Sequence, residues 1–554
     1  MPSIDFRSLP TSSGGFSKLF IDYLYDFAKV RQFYASDFHS MQNILLHLEK
    51  ARKGSEHRSL LVEVLKEQNA SFGCDEKTLT NIESLRDQKT FCVVTGQQVG
   101  ILGGPLYTLY KGITAVKLAR RLGTAYPEYK FVPVFWMEGE DHDFAEANTV
   151  TLLTRENLPT RIQYLIDGKP LEKNIGAVGE IILDASLELF LAQIETALPN
   201  SEFRSQLMEL VGRSYFKKCT FNQAFAHWLS KIFGNGEQSG DGDTGLVFIS
   251  SNDKRIKRVL SPIFLKELQE FSQTSQLVIN QSAQLEKEYH AQIKPKALNL
   301  FLFHKEGRYL IEPRDGEFSL KGIRYYPTKD ELLRIATETP EMLSPNVVLR
   351  TICQDALLPT VAYVAGPSEV AYFAQLKPVY EYYEVPMPMI YPRASATILE
   401  QKLQIVLEKY QLKLADFFGS RERLNARVIK ILSEIQLDEL FSNTEQRMGE
   451  VLNEMKFGLN YIDSTLLGSL ENAHSKMKAQ LLVLKEKAAA AQHRKHEVAL
   501  RQVDKVMNSV FPNGNFQERE LNILHFMNRY GVDFPGRLFN ELRIDTFDHQ
   551  VFEL

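Results

Sequence analysis

The feature that most constrains the fold of this chain is a proline-free run between Pro392 and Pro512. It is rich in Leu, Lys, Glu, Ala and Gln, which favour helix, and it far exceeds an ordinary globular helix of about 8–20 residues. Apolar residues recur in it at steps of three and four, averaging about 3.5 as in a coiled coil. The pattern predicts a coiled coil or long helical hairpin over residues 393–511. Its predicted seam comprises Leu459, Ile462, Leu466, Leu470, Ala473, Met477, Leu481, Leu484, Ala488 and Ala491.

The sequence leaves the partner of this seam open. The earlier segment "ATILEQKLQIVLEKYQLKL", residues 396–414, can supply a partner within the chain. A second copy of the chain can supply one between molecules.

Before this run the chain alternates short apolar segments with helical ones, which predicts an α/β fold with a largely parallel sheet. "TFCVVTG" reads as a strand, "GPLYTLYKGITAVKLARRLG" as a helix and "KFVPVFWM" as the next strand. The predicted organisation is an N-terminal helical part at 1–90, a sheet core at 91–392 with an insertion at about 150–240, the helical domain, and a C-terminal segment at 512–554 that packs back on the core.

Charge and composition narrow the class of protein. The net charge is −4 and 24% of residues are charged, so no basic surface for nucleic acid is predicted. No window approaches the roughly 20 apolar residues of a membrane span, and the N-terminus lacks the pattern of a secretion signal. The four cysteines form no CxxC pair, which favours reduced thiols. We therefore expect a soluble cytoplasmic protein.

Ligands of open parallel sheets bind where loops follow the carboxyl ends of strands. The first such loop lies in "TGQQVGILGGPLYTLYK", residues 95–111, where glycines precede a helix that can receive an anion at its start. Neither the Walker A motif nor the dinucleotide fingerprint is present, so a ligand cradle and a tight structural turn both remain open. Lys111 is either a phosphate ligand or a solvated lysine. The candidate binding residues here are Thr95, Gly96, Gln97, Gln98, Gly104, Tyr107 and Lys111.

The second loop, "GEDHDFAE", places Glu140, Asp141, His142 and Asp143 after a strand. Such a cluster can hold Mg²⁺, act as an acid and base, or bind a substrate amine. Acidic residues at this position also cap helices.

The third loop, "AGPSEVAY", begins a helix with Ser368 and Glu369, which is first of all a capping arrangement. Upstream, Arg350 and Gln354 lie four residues apart on one predicted helical face. Arg350 can clamp a carboxylate or phosphate with two hydrogen bonds, and structural ion pairing is the alternative.

Six segments of the chain resemble the BshC family, the cysteine ligases of bacillithiol biosynthesis. They are "TGQQVGILGGPLYTLYK", "PVFWMEGEDHDFAEAN", "SPNVVLR", "LPTVAYVAGPSEVAYFAQL", "MIYPRAS" and the tail "LNILHFMNRYG". The segments occur in the family's order through most of the chain. The resemblance implies a Rossmann-like core related to class I aminoacyl-tRNA synthetases and nucleotidyltransferases, with connecting insertions and a coiled coil that supports a homodimer.

The resemblance also implies an activity, the addition of L-cysteine to the amine of glucosaminyl-malate by amide bond formation. ATP, with or without magnesium, is the expected activating cofactor, although the His-x-Gly-His and Lys-Met-Ser-Lys-Ser motifs of class I synthetases are absent. Asp141, His142 and Asp143 are expected to orient or deprotonate the amine, and Arg350 to hold a carboxylate. No dedicated protein metal site is expected.

Two other functions remain open. One is another nucleotide-dependent amide ligase or transferase that uses the same core with a different amine. The other is a non-catalytic coiled-coil scaffold whose sheet domain only binds a ligand.

Overall fold

The computed structural model describes residues 2–9, 16–51, 57–170, 174–234, 244–314 and 317–554. The chain divides into two compact units. The first contains the residues up to Ile398 together with Asn515–Leu554, and the second is Leu399–Gly514. In the described part of the chain no helix is long and apolar enough to cross a membrane.

The β-strands are β1 (Ser3–Ile4), β2 (Thr90–Gln98), β3 (Lys130–Glu138), β4 (Thr149–Leu153), β5 (Pro159–Gln163), β6 (Val247–Ser250), β7 (Leu300–His304), β8 (Gly307–Arg314), β9 (Glu317–Leu320), β10 (Leu343–Pro345), β11 (Thr360–Ala365), β12 (Met389–Pro392), β13 (Ser395–Leu399) and β14 (His549–Glu553).

The α-helices of the first unit are α1 (Lys18–Tyr25), α2 (Ile44–Ala51), α3 (Arg58–Ser71), α4 (Glu76–Ser84), α5 (Leu106–Ala125), α6 (Phe144–Ala147), α7 (Ser186–Ala197), α8 (Arg204–Ser214), α9 (Phe221–Gly234), α10 (Lys254–Gln269), α11 (Phe271–Leu285), α12 (Lys329–Glu338), α13 (Val347–Leu357), α14 (Pro367–Phe373), α15 (Lys377–Tyr382), α21 (Gln517–Glu520), α22 (Leu524–Tyr530) and α23 (Phe534–Glu541). Those of the second are α16 (Gln401–Lys409), α17 (Arg421–Leu432), α18 (Leu437–Ile462), α19 (Leu466–Lys495) and α20 (Glu497–Val510).

The centre of the first unit is a five-stranded sheet in the order β12-β11-β2-β3-β6. Every pair of neighbours in it is parallel, which confirms the predicted α/β fold. The strands are buried almost throughout, as their continuous apolar runs require. The chain leaves β2 towards β3 on one side, while β11 joins β2 on the other. This reversal of strand order makes the carboxyl ends of β2 and β11 a topological switch point, where such sheets bind ligands.

The strand register brings distant loops to one edge. Gln98 at the end of β2 lies opposite Glu138 at the end of β3. On the other side Thr95 lies opposite Val364, one residue before the end of β11. Parallel strands end at the same edge of a sheet, so the loops that follow all three strands converge there.

The remaining elements of this unit flank the sheet. The region between β3 and β6 contains the hairpin β4–β5 and helices α7 to α9, and residues 171–173 and 235–243 in it lie outside the described ranges. A second sheet has the order β10-β7-β8-β9 and is antiparallel. The C-terminal strand β14 lies between β1 and β13, so both ends of the chain share one small sheet.

The second unit is helical, and its longest helices, α18 and α19, form an antiparallel hairpin. Lys478 pairs with Glu445, and Lys485 pairs with Asp438 further along in the opposite direction. The predicted seam is therefore interrupted, because α18 ends at Ile462 and α19 begins at Leu466. The partner of α19 is α18 and not residues 396–414, which form the end of β13 and the short helix α16.

Candidate active site

A cavity of about 800 Å³ opens at the carboxyl edge of the parallel sheet. Eight of the eleven binding residues predicted from sequence line it. They are Gly96, Gln97, Gln98, Tyr107, Lys111, Arg350, Ser368 and Glu369. The loops after β2 and β11 thus contribute to one site.

Lys111 is buried on α5 and joins these two loops. Its ammonium donates hydrogen bonds to the carbonyl of Gly96 at 2.8 Å and to Oε1 of Gln97 at 2.9 Å, and lies 2.5 Å from Oε2 of Glu369. A lysine has three N–H donors, and these three acceptors use them all. Burial lowers the pKa of Lys111, and Glu369 counteracts that effect. Lys111 is therefore neither a solvated lysine nor a donor left free for a phosphate.

Glu369 is equally occupied. Its Oε2 also accepts a hydrogen bond from the backbone N–H of Gly366 at 2.7 Å, and its Oε1 accepts one from the Tyr363 hydroxyl at 2.8 Å. The first of these is the capping contact predicted at the start of α14. Although burial works to raise the pKa of Glu369, Lys111 holds it below its usual range. Glu369 therefore remains an anion that fixes its surroundings.

The glycine-rich turn before α5 faces the protein interior. Gly103 and Gly104 adopt left-handed φ values of 83° and 70°, and a Cβ on Gly103 would lie 2.9 Å from the ring of Trp228. The amide of Asn522 donates hydrogen bonds to the carbonyls of Leu102 and Gly104. Only the beginning of the predicted loop, Gly96 to Gln98, lines the cavity. Gly104 is not among the lining residues, and its left-handed φ favours glycine at this position.

Arg350 and Glu138 form a second charged pair in the cavity wall. Arg350 is carried by α13, whose N-terminus is capped by Asn346. Nε of Arg350 lies 3.7 Å from Oε2 of Glu138, and its other nitrogens donate to Gln354 and to the Tyr372 hydroxyl. Burial raises the pKa of Glu138, and Arg350 opposes the rise.

Arg393 and Arg519 add positive charge on the side of β12 and the C-terminal segment. Arg393 pairs with the buried Glu518 at 2.6 Å. Within the described ranges, the guanidinium of Arg519 forms no ion pair or hydrogen bond with another residue. Burial and the nearby Arg393 lower the pKa of Arg519. Two adjacent guanidinium groups, one of them unpaired, can bind an anion.

Two other predicted binding residues lie behind the lining. The Thr95 hydroxyl donates to the carbonyl of Val364 at 3.0 Å and ties β2 to β11. Gln354 is fully buried and bridges Arg350 to Asp355. Both support residues that face the cavity.

Asp141, His142 and Asp143 are not among the lining residues. Oδ1 of Asp141 accepts from the backbone N–H of His142 at 2.7 Å and from the guanidinium of Arg308 at 3.3 Å. Burial works to raise the pKa of Asp141, but His142 and Arg308 hold it below its usual value. Asp143 caps α6 by accepting from the N–H of Glu146.

Glu140, the fourth acidic residue of this loop, points elsewhere. Its buried side chain pairs with Lys257 at 2.6 Å and accepts from the Ser251 hydroxyl. Over the described ranges, no group of three or more His, Cys, Asp or Glu side chains is arranged to hold a metal ion.

The structure adds lining residues that the sequence analysis missed, above all Glu138, Arg393 and Arg519. Glu138 directly follows the predicted strand "KFVPVFWM", and Arg393 directly follows β12. The rule that pointed to the three loops could have found both. Arg519 lies far along the chain in α21, and no local pattern marks it.

Comparison with known proteins gives a consistent result. Residues 4–394 match the family model "Bacillithiol biosynthesis BshC, N-terminal Rossmann-like domain", and residues 396–554 match its "C-terminal coiled-coil domain". A protein of Salinibacter ruber named "Putative cysteine ligase BshC" is 37% identical over 98% of both chains. One of the same name from Chloroherpeton thalassium is 35% identical over 99% of both.

A solved structure described as a "putative arginyl t-RNA synthetase" from Campylobacter jejuni overlaps 84% of this chain and 100% of its own, at 11% identity and a TM-score of 0.21. Structural similarity at this TM-score carries no argument, so kinship with class I synthetases stays a prediction. The two family models span nearly the whole sequence and confirm the Rossmann-like and coiled-coil domains. This chain belongs to the BshC family of bacillithiol biosynthesis.

Proposed function

We propose that this protein joins the carboxyl group of L-cysteine to the amine of glucosaminyl-malate, and that the amide bond forms in the cavity at the sheet edge. The observation that carries the proposal is the convergence of eight predicted binding residues in one cavity. The choice of reaction is supported by full-length relatives that bear the name "Putative cysteine ligase BshC".

The size and charge of the cavity suit these substrates. Its volume of about 800 Å³ lies within the range of about 300–1,000 Å³ that is usual for small-molecule sites. Arg350, Arg393 and Arg519 offer positive charge, and Glu138 offers negative charge. Substrates that carry both carboxylates and an ammonium group are complementary to such a lining.

A free carboxylate is a poor acyl donor, so amide formation needs activation of the cysteine carboxyl group. We propose that ATP provides it. The unpaired Arg519 beside Arg393 fits an anionic phosphate chain, and these two residues would hold it. Bound there, ATP would transfer a phosphate-containing group to a carboxylate oxygen of cysteine, and that oxygen would then leave the carboxyl carbon as part of the phosphate. Lys111 has no free N–H, so its contribution is the fixed position of Gly96 and Gln97.

The sequence also predicted that Asp141, His142 and Asp143 act on the attacking amine. These side chains lie outside the lining, bound to Arg308 or capping α6. For them to act directly, the loop after β3 would have to move when substrate binds.

We also propose that the second unit pairs two copies of the chain. Helix α19 has no buried residue although α18 packs along it, and Met477 and Leu484 are about half exposed. Such a face is typical of a coiled-coil seam that a further helix can cover.

The pairing can be tested by light scattering, which should report a dimer for the wild-type chain. The double variant Met477→Glu/Leu484→Glu should be a monomer. A wild-type monomer at micromolar concentration would contradict the pairing.

The activity can be tested in a bacterium that makes bacillithiol and has lost its own member of this family. Expression of this chain should restore bacillithiol and remove accumulated glucosaminyl-malate, as measured by mass spectrometry. Glu195→Gln, an exposed change on α7, is the matched control and should behave as wild type. Restoration of a different thiol or amide would favour another ligase, and no change in any metabolite would favour a scaffold.

The nucleotide can be tested separately with purified protein. Arg519→Gln should weaken ATP binding by about tenfold or more, since charge-assisted hydrogen bonds contribute roughly 1.5–3 kcal/mol. Wild-type protein that binds no ATP in calorimetry, with or without Mg²⁺, would contradict this part of the proposal.

A further inference from the structure

We propose that Glu138 accepts the proton from the attacking amine when the amide bond forms. The inference rests on the proposed function. Glu138 is the last residue of β3, lines the cavity and has a side chain that is 20% exposed. A proton acceptor must be reachable by substrate and held at a defined position.

Two of the cavity's other carboxylates are already engaged. Glu369 uses both oxygens on Lys111, Gly366 and Tyr363. Glu520 accepts from Asn515 at 2.8 Å and lies 3.4 Å from Arg161. Protonating either would break contacts that hold the site together.

The third, Glu146, lies on the exposed surface of the short helix α6. No ion pair or hydrogen bond to another described residue orients its carboxylate. Burial and the neighbouring Asp143 raise the pKa of Glu146 as well. Its side chain is nevertheless exposed and not held in a defined position, which makes it a poorer proton acceptor.

Glu138 differs because one oxygen is held and the other is available. Its Oε2 accepts from the indole N–H of the buried Trp136 at 3.3 Å and lies 3.7 Å from Nε of Arg350. Its Oε1 has no hydrogen-bond partner among the described residues. The arrangement fixes the carboxylate while leaving one oxygen to receive a proton.

The electrostatic environment supports the role. Burial raises the pKa of Glu138, with Arg350 in opposition, and a carboxylate with a raised pKa is a stronger base. The pKa of Asp141 is instead held low by His142 and Arg308 against the effect of burial. Of the two, Glu138 is the better acceptor.

The amine lone pair of glucosaminyl-malate forms the new N–C bond at the carboxyl carbon of cysteine, previously activated by a nucleoside triphosphate. The C–O bond to the leaving group breaks, and that group departs with the bonding electron pair. One N–H proton passes to Oε1 of Glu138, which later releases it to water.

The test compares Glu138→Gln, Glu138→Asp, Glu146→Gln and the Glu195→Gln control in the complemented strain described above. Glu138→Gln keeps the hydrogen bond from Trp136 but cannot take a proton, so the ratio of bacillithiol to glucosaminyl-malate should fall by about 100-fold or more. Glu138→Asp should retain part of the activity, and Glu195→Gln should show no loss. Unchanged melting temperatures would show that the variants are folded.

A second readout is the pH profile of purified enzyme supplied with cysteine, glucosaminyl-malate and ATP. The wild-type kcat should fall as Glu138 becomes protonated at low pH, and this limb should be missing in the residual activity of Glu138→Gln. If Glu138→Gln stays within threefold of wild type, or if only Glu146→Gln or Asp141→Ala removes the limb, the assignment is wrong. Failure of the wild-type chain to restore bacillithiol would instead overturn the proposed function.

Discussion

The ammonium of Lys111 lies 2.5 Å from Oε2 of Glu369, and both side chains are largely buried in the cavity wall. The pair connects α5, which follows β2, to the start of α14, which follows β11. Because Lys111 also holds Gly96 and Gln97, the contact fixes both loops of the topological switch point. Its role is to position the site.

Removing Lys111 should therefore damage both stability and activity. Lys111→Met leaves Glu369 as a buried, uncompensated charge, which typically costs about 3–5 kcal/mol. Urea denaturation should show this loss for the first unit, while Lys50→Met, an exposed change on α2, should have almost no effect. The double variant Lys111→Met/Glu369→Gln should lose less than the sum of the single losses. Additive losses would mean that the two residues do not act as a pair.

The turn before α5 should tolerate no side chain at Gly103. Alanine there meets both a left-handed φ of 83° and the Trp228 ring at 2.9 Å, so Gly103→Ala should cost about 1–3 kcal/mol. Gly123 lies within α5, and a Cβ there meets nothing within 4 Å. Gly123→Ala should therefore raise the free energy of unfolding by about 0.5–1 kcal/mol. Melting temperatures of the two variants should move in opposite directions. A neutral Gly103→Ala would show that the turn is not a packing element.

Stability should fall in mild acid because of His549. This ring is fully buried between the hydroxyls of Ser395 and Thr397, and burial lowers its pKa from 6.5 to about 4. The unfolded chain takes up the proton below pH 6.5 and the folded chain does not, so the stabilisation is complete above that pH and is lost as pH falls towards 4. Between pH 6.5 and pH 5 the loss from this group is about 2 kcal/mol.

Urea midpoints at pH 7.5 and pH 5 measure this effect. His549→Gln retains hydrogen-bonding groups but has no group that titrates in this range. The urea midpoint of this variant should therefore change less between pH 7.5 and pH 5 than that of the wild type. His47, whose pKa burial likewise lowers to about 4, should leave a residual dependence in that variant. An equal change in wild type and His549→Gln would contradict the assignment.

The protein's own thiols should be unreactive in the folded state. All four cysteines are free, and burial raises the pKa of Cys74 and of Cys92 to about 12. Burial also raises the pKa of Cys219 and Cys353. Since the thiolate is the reactive form, iodoacetamide at pH 8 should label native protein far more slowly than urea-denatured protein. Rapid labelling of any one thiol in the folded state would contradict its burial.

The division into an α/β part and a helical part could be read from the sequence, because hydrophobic periodicity is a local property of the chain. The meeting of three loops at one edge of the sheet could also be predicted from the sequence. Parallel strands end at one edge, so polar residues after β2, β3 and β11 were expected to converge. The resemblance to BshC implied a Rossmann-like core and a coiled coil, and the family models confirmed both domains.

Local patterns could not show how the long helices pair. The predicted seam runs from Leu459 to Ala491, but the three residues between Ile462 and Leu466 reverse the chain, so the seam is divided between two helices. The spacing of apolar residues is nearly the same on both sides of such a turn, so periodicity alone does not reveal it.

Local sequence patterns are enough to show which loops meet at the sheet edge, but the chemistry of each side chain there depends on the folded chain. The sequence leaves Lys111 as either a solvated lysine or a phosphate ligand, and in the folded chain it is neither, because its three N–H groups bind Gly96, Gln97 and Glu369. The sequence shows Glu138 only as a residue at the end of a strand. In the folded chain Trp136 and Arg350 hold one of its carboxylate oxygens. The reason is physical: the chemistry of a side chain depends on burial and on partners brought from distant parts of the chain, and neither is encoded in the spacing of its neighbours.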